Sequence, residues 1–164
     1  MRPLQALFCL ALSACGSLDA NRVESPVVPV ATEGASCAVC GMVVDEELGP
    51  RGQVLRADGA REFFCSLSDL RAALGSPSPH GAARATWLEP LRSVEPHGAP
   101  TAWEPADRLT YVVGFPNPGV MGLPALATLD PADAQALAAQ VGGWTTSWSS
   151  LLATPFNANP PRSP

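Results

Sequence analysis

Gly52-Gln53-Val54-Leu55-Arg56-Ala57-Asp58-Gly59-Ala60-Arg61-Glu62-Phe63-Phe64 is the stretch on which the reading of the fold turns. Two short runs containing β-branched and aromatic residues flank Asp58-Gly59, a dipeptide suited to the positive φ angles of a tight type I′ turn. The stretch therefore predicts a β-hairpin with arms over 52–57 and 60–64. Cys65 follows at once, and Ser66-Leu67-Ser68-Asp69 opens a helix. Ser66 and Asp69 stand three apart as in a capping box, Leu70 and Leu74 continue the apolar face, and Gly75 stops it. The first half thus reads strand, strand, helix.

Toward the C-terminus, residues 75–85 form a Pro/Ser/Gly connector, 86–88 predict a short strand, and 89–100 a loop. Leu109-Thr110-Tyr111-Val112-Val113 is a β-branched and aromatic run that ends at Gly114. A loop over 115–122, with Pro116, Pro118, Gly119 and Gly122, carries Met121, and 125–129 predict the returning strand. Asp130-Pro131 starts a helix, with Asp as N-cap and Pro at the first helical position. That helix covers 132–140 and is ended by Gly142-Gly143. Residues 144–148 predict a last strand and 149–152 a closing turn. Strand, strand, helix recurs without a residue-level repeat. The expected fold class is α+β, two similar small halves packed as one compact domain over 36–153, with the four Trp in its core.

Toward the N-terminus, Met1-Arg2 supplies a positive start, residues 4–12 a short apolar stretch, and Leu12-Ser13-Ala14-Cys15 a cleavage site. This is the pattern of a lipoprotein signal over 1–14 with Cys15 as lipid acceptor. The alternative is an ordinary cleaved signal with an incidental Cys. Two or three acyl chains, at ~0.8 kcal/mol per buried methylene, anchor a protein permanently. Gly16 and Ser17, with no Asp directly after Cys15, point to a periplasm-facing lipoprotein of the outer membrane. Residues 15–35, with Pro26 and Pro29, read as a flexible tether, and 154–164 as a disordered tail.

The chain has 164 residues, 46% of them hydrophobic and 15% charged, with a net charge of −5. A chain of this size buries roughly two-thirds of its unfolded surface, so a bound metal would be cargo or catalyst before scaffold. All ten basic residues are Arg, scattered through an acidic chain, and nucleic-acid binding, which needs a basic stripe, is excluded as a working idea. No Ser-His-Asp arrangement or phosphate loop stands out.

Cys9 leaves with the signal and Cys15 is taken by lipid, so Cys37, Cys40 and Cys65 remain. A structural framework in an oxidising compartment would pair all its thiols. The odd number means one disulfide plus a free thiol, or three thiols kept for a soft metal. Cys37-Ala38-Val39-Cys40-Gly41-Met42 places two sulfurs on one tight turn with a thioether beside them, a ligand set suited to Cu(I). Zn²⁺ normally takes four Cys or His ligands, and His80 and His97 lack metal spacing. A structural disulfide and a thiol–disulfide redox pair are the other readings of Cys37 and Cys40. Cys65 sits before the helix cap, where a thiolate is favoured. It completes the sulfur site, pairs with Cys37 or Cys40, or is a small buried residue. Met121, between Val120 and Gly122, is a site-lining thioether or a core residue.

A lipoprotein signal, an early Cys-x-x-Cys-Gly-Met, Tyr111-Val112-Val113-Gly114, the Gly119-Val120-Met121-Gly122 loop, an Ala-rich helix and Gly142-Gly143 together resemble the NosL-type nitrous-oxide reductase accessory lipoproteins. The resemblance spans 37–152. It implies a periplasmic Cu(I)-binding chaperone that passes copper to the machinery assembling the copper centres of nitrous-oxide reductase. It also implies an α+β fold of two similar halves, related to a domain of organomercurial lyase. Met121 matches the family's copper-ligating methionine, and Cys37, Cys40 and Met42 its cysteine motif. Members often carry His directly or soon after the Met-Gly pair. Here Leu123 and Pro124 follow, so the site is purely sulfur or borrows a ligand from a partner. The leading expectation is a lipid-anchored Cu(I) carrier, not an enzyme, with Met121, Cys37, Cys40, Met42 and Cys65 as ligand candidates and a copper-receiving client or its assembly machinery as partner. The alternatives are an extracytoplasmic thiol–disulfide protein using Cys37 and Cys40, and a structural lipoprotein without metal.

Overall fold

A computed structural model describes residues 27–46, 50–91, 102–116 and 124–153. The signal segment, Cys15, most of the tether, Met121 and the C-terminal tail lie outside the described residues.

The hairpin forms from β1 (Gly52–Arg56) and β2 (Arg61–Phe64), with Gly52 opposite Phe64 and Leu55 opposite Arg61. Its turn is not the expected type I′, which needs positive φ at two successive residues. Only Gly59 has it, at 92°. A four-residue connection is closed instead by the Gly59 N–H donating to Arg56 O at 3.0 Å and the Arg56 N–H to Ala60 O at 2.8 Å. The Asp58 carboxylate accepts the Ala60 N–H at 2.9 Å, which steadies that longer turn. After Cys65, α1 (Leu67–Leu74) begins as expected, the Ser66 hydroxyl accepting the Asp69 N–H at 3.1 Å.

β3 (Ala83–Leu88) starts three residues before the predicted strand, inside the expected connector. Ala83, Arg84 and Ala85 have little intrinsic strand preference, but the second edge of β1 offers them hydrogen-bond partners down to Arg56. An unpredicted two-residue β4 (Glu104–Pro105) pairs with β3 at Trp87 and Leu88. The first sheet runs β2-β1-β3-β4.

The second half repeats the order with β5 (Thr110–Val113), β6 (Ala125–Thr128), α2 (Pro131–Val141) and β7 (Trp144–Thr146), its sheet running β6-β5-β7. Asp130 caps α2 through the Ala132 N–H at 2.8 Å. The last strand stops at Thr146, and α3 (Trp148–Ala153) replaces the predicted closing turn. Each half is therefore strand, strand, helix, strand, with its first strand in the middle.

One core joins the halves: Val44, Val54, Phe64, Leu70 and Leu88 from the first pack with Leu109, Tyr111, Ala127 and Leu151 from the second. Tyr111 is fully buried, and its hydroxyl donates to Ala106 O at 2.6 Å, so the phenol brings no unpaired polar atom inside. The opposite face of the second sheet, through Val112, receives Ala134, Leu137 and Ala138 of α2. Of the four Trp expected in the core, Trp87 alone is buried; Trp144 and Trp148 lie half-buried against the core, and Trp103 is half-buried.

The chain from Val28 onward, read as tether, is fastened to the first sheet. Gln53, fully buried, exchanges two hydrogen bonds with the Val30 backbone, at 3.1 and 3.0 Å. Arg61 donates to Val28 O at 2.7 Å and lies over the Trp87 ring. Asp45 then accepts from the Thr32 hydroxyl and the Gly34 N–H. These bonds lead the chain to Cys37.

Gly114 has φ of 80°, and the Trp144 ring lies 1.5 Å from where its Cβ would sit. Gly34 has φ of 69° with open space around it. Gly114→Ala is therefore expected to lower the unfolding free energy by about 3 kcal/mol or more, combining left-handed strain with overpacking. Gly34→Ala should cost only about 1 kcal/mol. Chemical denaturation of the two variants beside the parent measures both.

Candidate metal centre

Three pieces of chain converge at the end of β2. The first is the loop 37–42, which lies against the outer edge of that strand. Cys37 bridges Phe63 in parallel register, and the Ala38 N–H donates to Phe63 O at 2.8 Å. The loop is closed on itself by the Cys37 N–H to Met42 O at 2.8 Å and the Gly41 N–H to Cys37 O at 2.9 Å. Gly41 takes φ of 78°, which a side chain would resist. The second piece is Cys65, one residue past β2. The third is Asp69, in the first turn of α1.

These elements bring Cys37, Cys40, Cys65 and Asp69 together, with one donor atom from each and all four within 4.8 Å of one another. Three or four donors around a single ion at about 2.3 Å lie roughly 4 Å apart, so the cluster closes onto a soft ion with shifts of about an ångström or less. The Cys37 and Cys65 thiols both donate to Asp69 Oδ2, at 3.3 and 3.4 Å. Cys40 Sγ lies 3.4 Å from Cys65 Sγ. All three are free thiols.

The expectation that the helix start favours a Cys65 thiolate is overturned. Burial pushes the Cys65 thiol far above its ordinary value, and hydrogen bonding with Cys40, Cys37 and Asp69 adds to this. A short helix whose first turn already carries Asp69 offers too little positive potential to oppose desolvation. For Cys40, the Met42 N–H pulls the pKa down, but burial and the neighbouring Cys37 and Asp69 outweigh it, and the thiol ends above its usual value. Reactive, cycling cysteines show the opposite, a depressed pKa. An entering soft ion must displace these protons, and its bonds to sulfur supply the driving force.

Among the expected site residues, the structure therefore joins Cys37, Cys40 and Cys65. Met42 contributes its backbone to the loop, while its side chain is 37% exposed. Met121 lies outside the described residues. Asp69 escaped the sequence reading because its position three after Ser66 was already explained by helix capping. The signal available was its spacing of four from Cys65, which a helix start turns into proximity.

Fold and site together define a small α+β domain with a three-thiol cluster at a strand-to-helix junction, its donors spaced as a soft metal ion would require. The family described as NosL has a model that matches residues 28–153, and the chain belongs to that family. It is 29% identical over 152 residues to the copper-binding lipoprotein NosL of Stutzerimonas stutzeri, a match covering 85% of this chain and 73% of that protein. It also resembles the crystal structure of the copper chaperone NosL from Shewanella denitrificans, with a TM-score of 0.66 and 26% identity, covering 76% of this chain and 95% of that one.

The sulfur contact makes a pairing prediction that differs from the one the Cys-x-x-Cys spacing suggests. Closing 3.4 Å to the disulfide length of about 2.05 Å needs little movement. Oxidised glutathione is expected to link Cys40 to Cys65 and leave Cys37 as the free thiol, read by alkylation after denaturation and peptide mapping. A Cys37–Cys40 bond would contradict the observed arrangement.

Proposed function

We propose that this chain is a lipid-anchored, periplasm-facing Cu(I) carrier of the outer membrane, held through Cys15, and that it delivers copper for the assembly of nitrous-oxide reductase or a related copper protein. It carries metal and is not an enzyme. The observation that supports this best is the convergence of Cys37, Cys40 and Cys65 on one point, with their donors within bonding reach of a single ion. Three thiolates are the soft, low-coordinate set that Cu(I) favours. The names of the relatives, a copper-binding lipoprotein and a copper chaperone, agree with that chemistry.

In this reading the thiolates of Cys37, Cys40 and Cys65 hold the ion. Met121 adds a thioether ligand, as the family resemblance implies, and Met42 supports from the loop. Asp69 orients two of the sulfurs before loading. Thiol–disulfide cycling is a weaker reading, because the elevated thiol pKa values of Cys40 and Cys65 would keep them protonated at neutral pH.

Anaerobic Cu(I) titration against a chromophoric chelator, with the chain as isolated from membranes, is expected to give one tightly held Cu(I). Cys65→Ser should weaken binding by roughly ten-fold or more, and Met121→Ala should weaken it as well. Binding unchanged in Cys65→Ser would remove the proposed centre. The client is tested separately, by the copper content of nitrous-oxide reductase from cells lacking this chain.

A further inference from the structure

The three sulfurs are not equivalent. Cys37 and Cys65 are 3% and 6% exposed, and both are tied to the same carboxylate oxygen of Asp69. Cys37 is also bridged to β2 at Phe63, and Cys65 is held between that strand and the capped helix. Cys40 is only half-buried. It sits at the tip of the loop, with exposed residues on both sides: Ala38 and Val39 before it, Gly41 and Met42 after it. Val39 and Met42 are 50% and 37% exposed, so the rim on this side is apolar. The loop's backbone bonds run through Cys37, Ala38, Gly41 and Met42.

We infer that Cys40 is the exchange ligand of the centre, the one that a copper acceptor displaces first, while Cys37 and Cys65 hold the ion until the acceptor has engaged it. The assignment rests on the carrier reading and adds the direction of hand-over. In the step itself a soft donor of the acceptor, a thioether or thiolate, bonds to Cu(I) as the bond from copper to Cys40 Sγ breaks. Copper remains Cu(I), and no electron is transferred. When the incoming group is a thiol, the proton it loses ends on the departing Cys40 sulfur. The apolar rim of Val39 and Met42 suits an acceptor that presents its donor among apolar side chains, where water does not compete.

The test uses the chain as isolated from membranes, reduced and loaded with Cu(I) under anaerobic conditions. A brief pulse of iodoacetamide, followed by peptide mapping, is expected to label Cys40 at least about ten-fold faster than Cys37 or Cys65. Bathocuproine disulfonate then serves as acceptor. Cys40→Ser should still bind one Cu(I) but release it at least about ten-fold faster than the parent, whereas Cys37→Ser and Cys65→Ser should lose more equilibrium affinity than Cys40→Ser does. Equal labelling of all three cysteines in loaded parent protein would overturn the assignment, even where a variant fails to fold. So would unchanged or slower release from Cys40→Ser. Failure of the parent to bind Cu(I) at all would overturn the carrier reading and this inference together, whereas binding with equal labelling overturns this inference alone.

Discussion

The pairing of Cys37 and Ala38 with the outer edge of β2 is the contact on which the three-thiol cluster depends. One backbone hydrogen bond, from Ala38 N–H to Phe63 O, and one parallel bridge set the loop beside the last residues of that strand. Cys65 lies immediately beyond those residues, so placing the loop also places Cys37 and Cys40 against Cys65. The edge strand would otherwise expose unpaired backbone groups, and covering it satisfies them. The same contact thus completes the sheet and assembles the sulfurs. Upstream, Gln53 and Arg61 grip Val30 and Val28 and so deliver the loop to that edge.

Burial then determines what the sulfurs can do. Among them the buried Cys65 thiol is held protonated, which disfavours rapid disulfide exchange, and an ion entering there must displace that proton. Asp69 accepts from two of them and keeps their Sγ atoms turned inward. A cluster whose geometry is fixed before an ion enters would lose little entropy on binding one, and the half-buried Cys40 leaves one side of it accessible.

The second half offers the same place without the chemistry. Thr128, Leu129 and Asp130 correspond to Phe64, Cys65 and Ser66 at the strand-to-helix junction, and Asp133 stands three after its cap as Asp69 does. The outer edge of β6 is also covered, by the Leu91 N–H donating to Ala127 O at 2.8 Å. Where the first half has a buried Cys65, the second has Leu129, 51% exposed. One architecture is built twice, and among the described residues only its first strand-to-helix junction carries a cysteine, an instance of function residing in a site grafted onto a fold.

Local chemistry alone was enough to read the hairpin arms, both helix starts and the α+β order. The reason is that the β-branched and aromatic runs flanking Asp58-Gly59, Ser66 and Asp130 as caps, and Pro131 at the first helical turn all act within a few residues. The early start of β3, the short β4 and the helix at Trp148 were not legible, because each answers to partners distant in the chain, and the turn at Asp58 and Gly59 was misread because local bonds to Arg56 and Ala60 close a longer connection than the dipeptide suggests. The same holds for the site. Cys-x-x-Cys announced a pair of sulfurs, but which third sulfur joins them, and that Asp69 faces two of them, was decided only when β2 brought residues 37 and 65 together. Residue spacing records what can meet within one turn. Meetings across 25 or 32 residues, as for Cys40 with Cys65 and Cys37 with Asp69, belong to the tertiary fold, because they are set by sheet edges and shared burial.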